Sequence, residues 1–374
     1  MDEEFYVGIP EEREQETSND DLFNITSWGA DPSVRELITQ YQEGDIEKPE
    51  LQRKYVWTKK AASRFIESLL LGLPVPSIFL ANLESGKRLI IDGYQRIRTL
   101  VDFIDEGVWS GDETIFRLSN NEHINWRWRG KSYKELNEDD KRRLRNYSLH
   151  AIIFEQKHPQ NDSGLYQVFE RINTSGTPLN DQEIRNCVYQ GNFNTLLFSL
   201  NENRQWRNLN AGPVDSRMRD IELILRFFAM DTPAVYRSKE SVITLKHLLN
   251  KFMSDHLSDN DASLNASGEH FCRVVSFIYD AYGEEAFFNL QNDLEKLRRR
   301  LYPTVFDSIM VATSIALEQG FTPASDVEMK ERRLELLRDQ DYRNSITQGT
   351  MRVENIKMRI SRALSILYQI ENYV

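Results

Sequence analysis

The stretch from Leu89 to Arg96 constrains the fold of this chain most strongly, because it joins a strand pattern to a helix pattern within eight residues. Its first three residues form an apolar run that predicts a buried strand. Asp92 and Gly93 interrupt that run, and Gly93 has no Cβ, so the backbone can turn sharply there. The apolar residues that follow have helical spacing, at Ile97, Leu100, Val101 and Ile104. We therefore predict a strand, a glycine turn and a helix in direct succession.

The polar residues at this junction have the chemistry of an anion-binding site. A helix N-terminus presents free N–H groups and the positive end of a dipole, and Arg96 adds a full positive charge. The alternative is an ordinary turn at Asp92-Gly93 with Arg96 as a surface residue, since short motifs also match by chance. These eight residues alone leave both interpretations open.

Two helices are predicted upstream of this junction. The first begins with Asp31 as its N-cap and ends at Gly44. The second begins after the N-cap Thr58 and ends at Gly72, followed by prolines that cannot continue a helix. The apolar residues of the second helix fall on one face: Ala62, Phe65, Ile66, Leu69 and Leu70.

Strand patterns surround the junction as well. Residues 77–83 and 88–91 predict a hairpin around a polar turn, and residues 147–154 predict a half-buried strand. Residues 1–20 are acidic and lack apolar periodicity, so we predict a mobile tail there. Residues 21–190 are therefore expected to form an α+β domain with a small mixed sheet.

A second polar block occupies residues 165–186. Apolar residues at helical spacing predict a helix that ends before a loop of small and donor-rich residues at 174–176. Asn180 then caps another helix, and Glu183 completes a capping-box-like pattern. Arg185 lies one turn into this helix. The alternative to a ligand site here is a helix–loop–helix with a purely structural role.

From residue 191 onwards the pattern is helical almost throughout, which predicts an all-α domain over residues 191–374. Lys296, Arg298, Arg299 and Arg300 fall in the last turn of one of the predicted helices, where cations suit the helix dipole. The predicted helices span residues 215–230, 242–256, 268–282, 284–301, 304–319, 326–338 and 352–373.

Basic residues are also concentrated between Trp126 and Arg145, where eight of them are mixed with four acids. Basic residues interleaved with tryptophan can bind nucleic acid. The acids dilute the patch, so the sequence favours a hairpin followed by a solvated helix.

Composition limits the class of protein. The 374 residues suffice for two domains, and the net charge of −11 argues against a chain that coats nucleic acid non-specifically. No apolar run approaches the ~20 residues that cross a bilayer. The two cysteines, Cys187 and Cys272, support neither a disulfide framework nor a metal site. A cytoplasmic location is the resulting expectation.

The chemistry is therefore expected from a site assembled out of separated blocks. The six histidines lack zinc-ligand spacing, and neither a phosphate-binding P-loop nor a nucleophile elbow occurs. Arginine forks match phosphate oxygens, and a single carboxylate, Asp92, could hold Mg²⁺ or orient a water. The alternative is that these arginines pair with the many acids of the chain. The blocks that would converge contain Gln52, Arg53, Asp92, Gln95, Arg96, Arg171, Asn173 and Arg185.

The order of these blocks resembles the N-terminal domain of GmrSD-type and SspE-type restriction proteins, domain of unknown function 262, within the wider ParB/sulfiredoxin-like fold. The resemblance covers residues 22–190, about half of the chain. It rests on four motifs: Gln52-Arg53 with Val56-Trp57, the Ser68…Gly72-x-Pro74-x-Pro76 helix exit, Ile91-Asp92-Gly93-x-Gln95-Arg96, and Phe169-x-x-Ile172-Asn173 followed by Gly176, Leu179 and Glu183-Ile184-Arg185.

This resemblance implies a pocket that binds a nucleoside triphosphate and regulates DNA cleavage. Asp92, Gln95 and Arg96 would be the catalytic residues, with Asp92 also on the metal. Tyr94 departs from the family motif, which has glutamine there, so hydrolysis is in question while anion binding remains. The residues that would bind nucleotide or phosphate are Gln52, Arg53, Gly93, Tyr94, Arg171, Asn173, Thr174 and Arg185.

The restriction relatives often carry a His-Asn-His nuclease domain in the second half, and this sequence has no such signature after residue 190. The leading hypothesis is therefore a nucleotide-responsive subunit, with or without triphosphate hydrolysis, that controls a separate nuclease. Two alternatives stay open: a DNA-binding or adaptor module without turnover, and a ParB-like metal-dependent nickase. The expected partners are a nucleoside triphosphate, DNA, a nuclease subunit and a second copy of the chain.

Overall fold

The computed structural model describes residues 25–47, 57–83, 85–156, 163–172, 179–210, 212–215, 217–232, 235, 238–291 and 295–371. The predicted tail at residues 1–20 lies outside the described residues. Gln52, Arg53, Asn173 and Thr174 lie outside them as well. The described residues fall into two compact units, one within residues 19–190 and one within residues 191–374.

The first unit contains a five-stranded mixed sheet. Its strands are β1 (Ile25–Ala30), β2 (Ile46–Glu47), β3 (Ile78–Asn82), β4 (Arg88–Asp92) and β5 (Ala151–Gln156). Their order across the sheet is β1-β5-β3-β4-β2. The β3–β4 and β1–β5 pairs are antiparallel, whereas β2–β4 and β3–β5 are parallel. The predicted hairpin is confirmed as β3–β4, which occupies the centre of the sheet beside β5.

The helices of the first unit pack around this sheet. They are α1 (Val34–Glu43), α2 (Lys59–Leu71), α3 (Tyr94–Leu100), α4 (Glu138–Asn146), α5 (Ser163–Ile172) and α6 (Asp181–Val188). A π-helical turn, Val101–Glu106, continues α3. The predicted apolar face of α2 is buried and contributes to one core cluster, while Ile78, Leu80, Ile90 and Ile97 belong to a second cluster around the sheet.

Capping residues explain where these helices begin and end. Thr58 accepts a hydrogen bond from the N–H of Ala61, and Gly72 takes a left-handed conformation, as predicted for α2. The prediction of Asp31 as the cap of α1 is wrong, because Ser33 caps it. Ser33 and Glu36 form a reciprocal capping box, which satisfies two backbone N–H groups at once.

The second unit consists mainly of helices. They are α7 (Asn192–Asn201), α8 (Arg204–Leu209), α9 (Arg219–Met230), α10 (Leu245–Asp255), α11 (Asp261–Tyr282), α12 (Pro303–Glu318), α13 (Asp326–Arg338), α14 (Gln340–Thr347) and α15 (Val353–Tyr368). The prediction for residues 326–338 is confirmed to the residue, and most of the others are confirmed with shifted ends. No helix of the described chain is long and apolar enough to cross a bilayer.

The predicted helix at residues 284–301 is wrong, so the second unit is not all-α. An antiparallel hairpin of β6 (Phe288–Leu290) and β7 (Leu297–Leu301) occupies this region. Leu297 and Leu301 are four residues apart, which also fits a helix face, so the pattern alone was ambiguous. Arg333 of α13 decides the outcome, since its guanidinium donates to the backbone carbonyls of Ala286 and Phe288 beside the first strand.

Candidate functional site

The predicted strand, turn and helix are present, and they meet at Gly93. β4 ends at Asp92 and α3 begins at Tyr94, with Gly93 between them at φ 103°. A Cβ on Gly93 would lie 2.5 Å from Cγ2 of Ile78 and 3.3 Å from its Cα. Both the backbone conformation and the close approach to β3 therefore require glycine at this position.

An ion pair between Asp92 and Arg96 spans this turn. Nη2 of Arg96 lies 2.7 Å from Oδ2 of Asp92 and also donates to the carbonyl of Ser77 at 3.0 Å. The Arg96 side chain is 12% exposed, while that of Asp92 is 40% exposed. The Nε of Arg96 is buried and has no hydrogen-bond partner among the described residues. Arg96 is thus held in place through Nη2, while its buried Nε donates to none of the described residues.

Gln95 connects this turn to the segment that precedes α2. The backbone N–H of Trp57 donates to Oε1 of Gln95 at 3.3 Å. Trp57 is the first described residue after residues 48–56, the block that contains Gln52 and Arg53. The side chain of Gln95 therefore lies beside Trp57, shortly before the start of α2.

Tyr94 is directed away from this group. Its phenol is half-buried and hydrogen-bonds to Tyr41 of α1, and burial together with this neighbour raises the pKa of Tyr94 to about 12. Residues two apart on a helix point about 200° apart around its axis, so Tyr94 and Arg96 cannot share a face. The hydroxyl of Tyr94, the residue that departs from the family motif, therefore already has a hydrogen-bond partner within the protein.

The two arginines of the second polar block have different surroundings. Arg171 lies in the last turn of α5, which packs against β4, and its side chain is exposed. Arg185 is only 1% exposed, and its Nε donates to Oε1 of Gln182 at 2.8 Å. The predicted capping box of Asn180 and Glu183 is confirmed. Arg185 thus lies inside the unit, whereas Arg171 is open to solvent.

The structure therefore brings together Asp92, Gly93, Gln95 and Arg96 of the predicted site. Sequence reasoning missed two backbone groups that hold these side chains, the carbonyl of Ser77 and the N–H of Trp57. Backbone groups carry no sequence signature, although Pro74 and Pro76 marked the fixed segment that leads to Ser77.

The described residues also bear on the predicted metal and nucleic-acid contacts. Within the described ranges, no group of three or more His, Cys, Asp or Glu side chains could hold a metal ion. The basic residues near α4 pair with the acids among them: Arg127 with Asp140, and Arg142 with Asp139 at 2.6 Å. These pairs agree with the solvated helix that the sequence favoured in this region.

A comparison with known protein families gives a match for this part of the chain. The family model for the N-terminal domain of GmrSD restriction endonucleases matches residues 34–190. This segment contains the four residues of the site, Asp92, Gly93, Gln95 and Arg96. It also contains α1 to α6 and strands β2 to β5. No curated protein and no solved structure matches the chain.

Proposed function

We propose that this chain is the nucleotide-binding regulatory subunit of a DNA restriction system of the phage-defence type, because residues 34–190 match the family model of the GmrSD N-terminal domain. Its ligand would be a nucleoside triphosphate, and the nuclease would be a separate subunit. The five-stranded mixed sheet and the turn at its centre support placing the domain in the ParB/sulfiredoxin-like fold.

The observation that carries this proposal is the hydrogen bonding of the Arg96 guanidinium. Two hydrogen bonds fix its Nη2, while its buried Nε finds no acceptor among the described residues. A buried polar group without a partner costs about 1 to 3 kcal/mol, and more when it is charged. A phosphate oxygen at this position would remove that cost and form a charge-assisted bond. The proposal therefore makes Arg96 the principal phosphate-binding residue.

Further residues would help to bind a ligand that carries several negative charges. Gln95 supplies an amide next to Arg96, and Gly93 allows the ligand to approach the backbone closely. Exposed Arg171 on α5 offers a second guanidinium near the sheet that carries Asp92. We propose the same role for four residues outside the described ranges, Gln52, Arg53, Asn173 and Thr174. Arg185, being buried, would support the site from inside rather than contact the ligand.

Asp92 fits a magnesium site of the kind that accompanies nucleotides. Mg²⁺ is usually bound by one or two carboxylates together with phosphate oxygens and waters. Asp92 uses Oδ2 for Arg96 and is partly exposed, so Oδ1 is available for a metal ion or for orienting a water. The ion would neutralise phosphate charge, and Asp92 would hold it beside Arg96.

Equilibrium binding of a fluorescent nucleoside triphosphate in the presence of Mg²⁺ tests the proposal. A hydrogen bond to a charged group contributes about 1.5 to 3 kcal/mol, so Arg96→Ala should weaken binding roughly 10- to 150-fold. Arg142→Ala is the matched control, because it removes an exposed arginine of the same unit that pairs only on the surface. Equal affinities for Arg96→Ala and the wild type would remove Arg96 from the site.

Asp92→Asn separates binding from turnover. The variant keeps the shape of the side chain but removes its charge, which would otherwise repel the phosphates. We expect nucleotide affinity to be retained, and phosphate release to be lost if Asp92 positions the metal or the water.

A second candidate function is nucleotide or DNA sensing without hydrolysis, and Tyr94 favours it. The phenol that replaces the family glutamine is engaged with Tyr41, so it offers no group to the ligand. Measuring phosphate release with and without DNA distinguishes the two functions. Nucleotide binding without release would favour the sensor, and plasmid nicking that disappears in Asp92→Asn would favour the nickase.

A further inference from the structure

The β6–β7 hairpin of the second unit carries a local excess of positive charge. Its register pairs Asn289 with Arg298 and Phe288 with Leu301, so two residues of β7, Arg299 and Arg300, have no counterpart on β6. Such a bulge bends a strand and redirects its side chains. The chain therefore turns two adjacent arginines out of a regular ladder.

This hairpin is held firmly to the helices beside it. Arg333 of α13 is buried, and its guanidinium donates to the carbonyls of Glu285, Ala286 and Phe288. Burial lowers the pKa of Arg333 to about 10, which still leaves it charged at neutral pH. A cation that binds three carbonyl oxygens fixes the first strand, so the bulge is presented from a rigid base.

Three of the four cations on the hairpin, Lys296, Arg299 and Arg300, make no ion pair with a described residue. Lys296 and Arg299 are exposed. Arg300 lies 5.4 Å from the ring centroid of Tyr302, a cation–π contact that orients its guanidinium without cancelling its charge.

Several exposed cations elsewhere in the chain are paired. The net charge is −11, and Lys251 pairs with Asp255 and Arg142 with Asp139. An acidic protein repels polyanions as a whole, so a polyanion would be expected to engage it through a local group of unpaired cations. The hairpin is such a group.

We propose that Lys296, Arg299 and Arg300 bind the phosphate backbone of double-stranded DNA. Arginine forks match phosphate oxygens, and residues 296–300 span at most about 13 Å of extended chain, the length over which one DNA strand presents about four phosphates. Contacts of this kind position a protein on DNA but do not read its sequence. The residues of this surface belong to the second unit, whereas those of the proposed nucleotide site belong to the first.

The test is fluorescence anisotropy of the full chain with a labelled duplex of about 30 base pairs, at roughly 50 to 250 mM KCl and without nucleotide. Each lost phosphate contact reduces the slope of log affinity against log salt by about 0.9, so Lys296→Ala with Arg299→Ala should reduce it by about 1.8. At about 0.1 M salt this corresponds to about 60-fold weaker binding.

The matched control is Arg204→Ala with Lys239→Ala, which removes the same charge from two other exposed positions of this unit. We expect the control and the charge-conserving double variant Lys296→Arg with Arg299→Lys to bind DNA as the wild type does. Arg96→Ala should also leave DNA affinity unchanged. The DNA measurement therefore does not depend on whether the proposed nucleotide site exists.

Three results would overturn the proposal. The first is an equal loss of affinity in the hairpin and control double variants, which would indicate only a net-charge effect. The second is no DNA binding by the wild type at about 50 mM KCl, where phosphate contacts are strongest. The third is binding to anionic lipid vesicles without binding to DNA. An unchanged unfolding midpoint of each variant verifies that the exposed substitutions leave the fold intact.

Discussion

Gly93→Ala should destabilise the first unit strongly, although it adds only one methyl group. Gly93 has φ 103°, and the new Cβ would lie 2.5 Å from Cγ2 and 2.9 Å from Cβ of Ile78. A residue with a Cβ pays about 1 to 2 kcal/mol in the left-handed region. Overpacking a rigid core adds about 1 to 3 kcal/mol. The two contributions together predict a loss of about 2 to 5 kcal/mol of unfolding free energy.

Gly72→Ala is the control that isolates the backbone contribution. Gly72 also has a positive φ, 74°, but an added Cβ would meet no atom within 4 Å. We therefore expect Gly72→Ala to cost about 1 to 2 kcal/mol, and the difference between the two variants measures the contact with Ile78. Gly93→Ala should cost less unfolding free energy in an Ile78→Ala background than in the wild type, because Cγ2 of Ile78, the nearest clashing atom, is then absent.

Urea unfolding followed by tryptophan fluorescence measures these energies. Five of the six tryptophans lie in the first unit: Trp28, Trp57, Trp109, Trp126 and Trp128. The signal therefore reports mainly on the unit that contains Gly93. If Gly93→Ala cost no more than Gly72→Ala, the close approach of the turn to β3 would not exist, and the geometry of the Asp92–Arg96 site would lose its support.

Two further predictions concern charged groups. Asp307 is fully buried, with Oδ1 2.6 Å from Nε of Arg226 and Oδ2 3.2 Å from Nη2 of Arg359. Asp307→Asn should therefore lower the unfolding free energy by about 3 to 5 kcal/mol, measured by calorimetry, and a loss below about 1 kcal/mol would contradict this expectation. The side chain of Arg117 and the backbone of Ser132 hold the pKa of Glu135 at about 2, below its usual 4.5. Stability from this group is present above pH 4.5 and is lost as the pH falls towards 2, so Glu135→Gln should weaken the acid dependence in this window; an identical profile would contradict it.

Tertiary structure altered several side-chain roles that the sequence had suggested. Arg185 is part of the family motif, but its neighbours enclose it, and Tyr94 hydrogen-bonds to a helix more than 50 positions earlier in the chain. Asp92 and Arg96 were predicted as separate ligands, whereas they form an ion pair across one helical turn. Each outcome depends on atoms distant in sequence or on the direction of a side chain, which spacing alone does not specify.

Sequence by itself determined the local features of the first unit and most helices of the second. The strand, glycine turn and helix at 88–100, the caps at Thr58, Gly72 and Asn180, and the buried face of α2 depend on interactions within about four residues, which repeat in the pattern of residue types. Only the tertiary structure decided non-local pairings. β1 lacks an apolar alternation and pairs with β5 some 125 residues away, and the hairpin at 288–301 depends on Arg333 from a later helix. Pairing between distant segments leaves no periodic signal in either segment, so the strand order of the sheet and the β1–β5 pair became visible only in the folded chain. The β6–β7 hairpin likewise required a contact from a later helix.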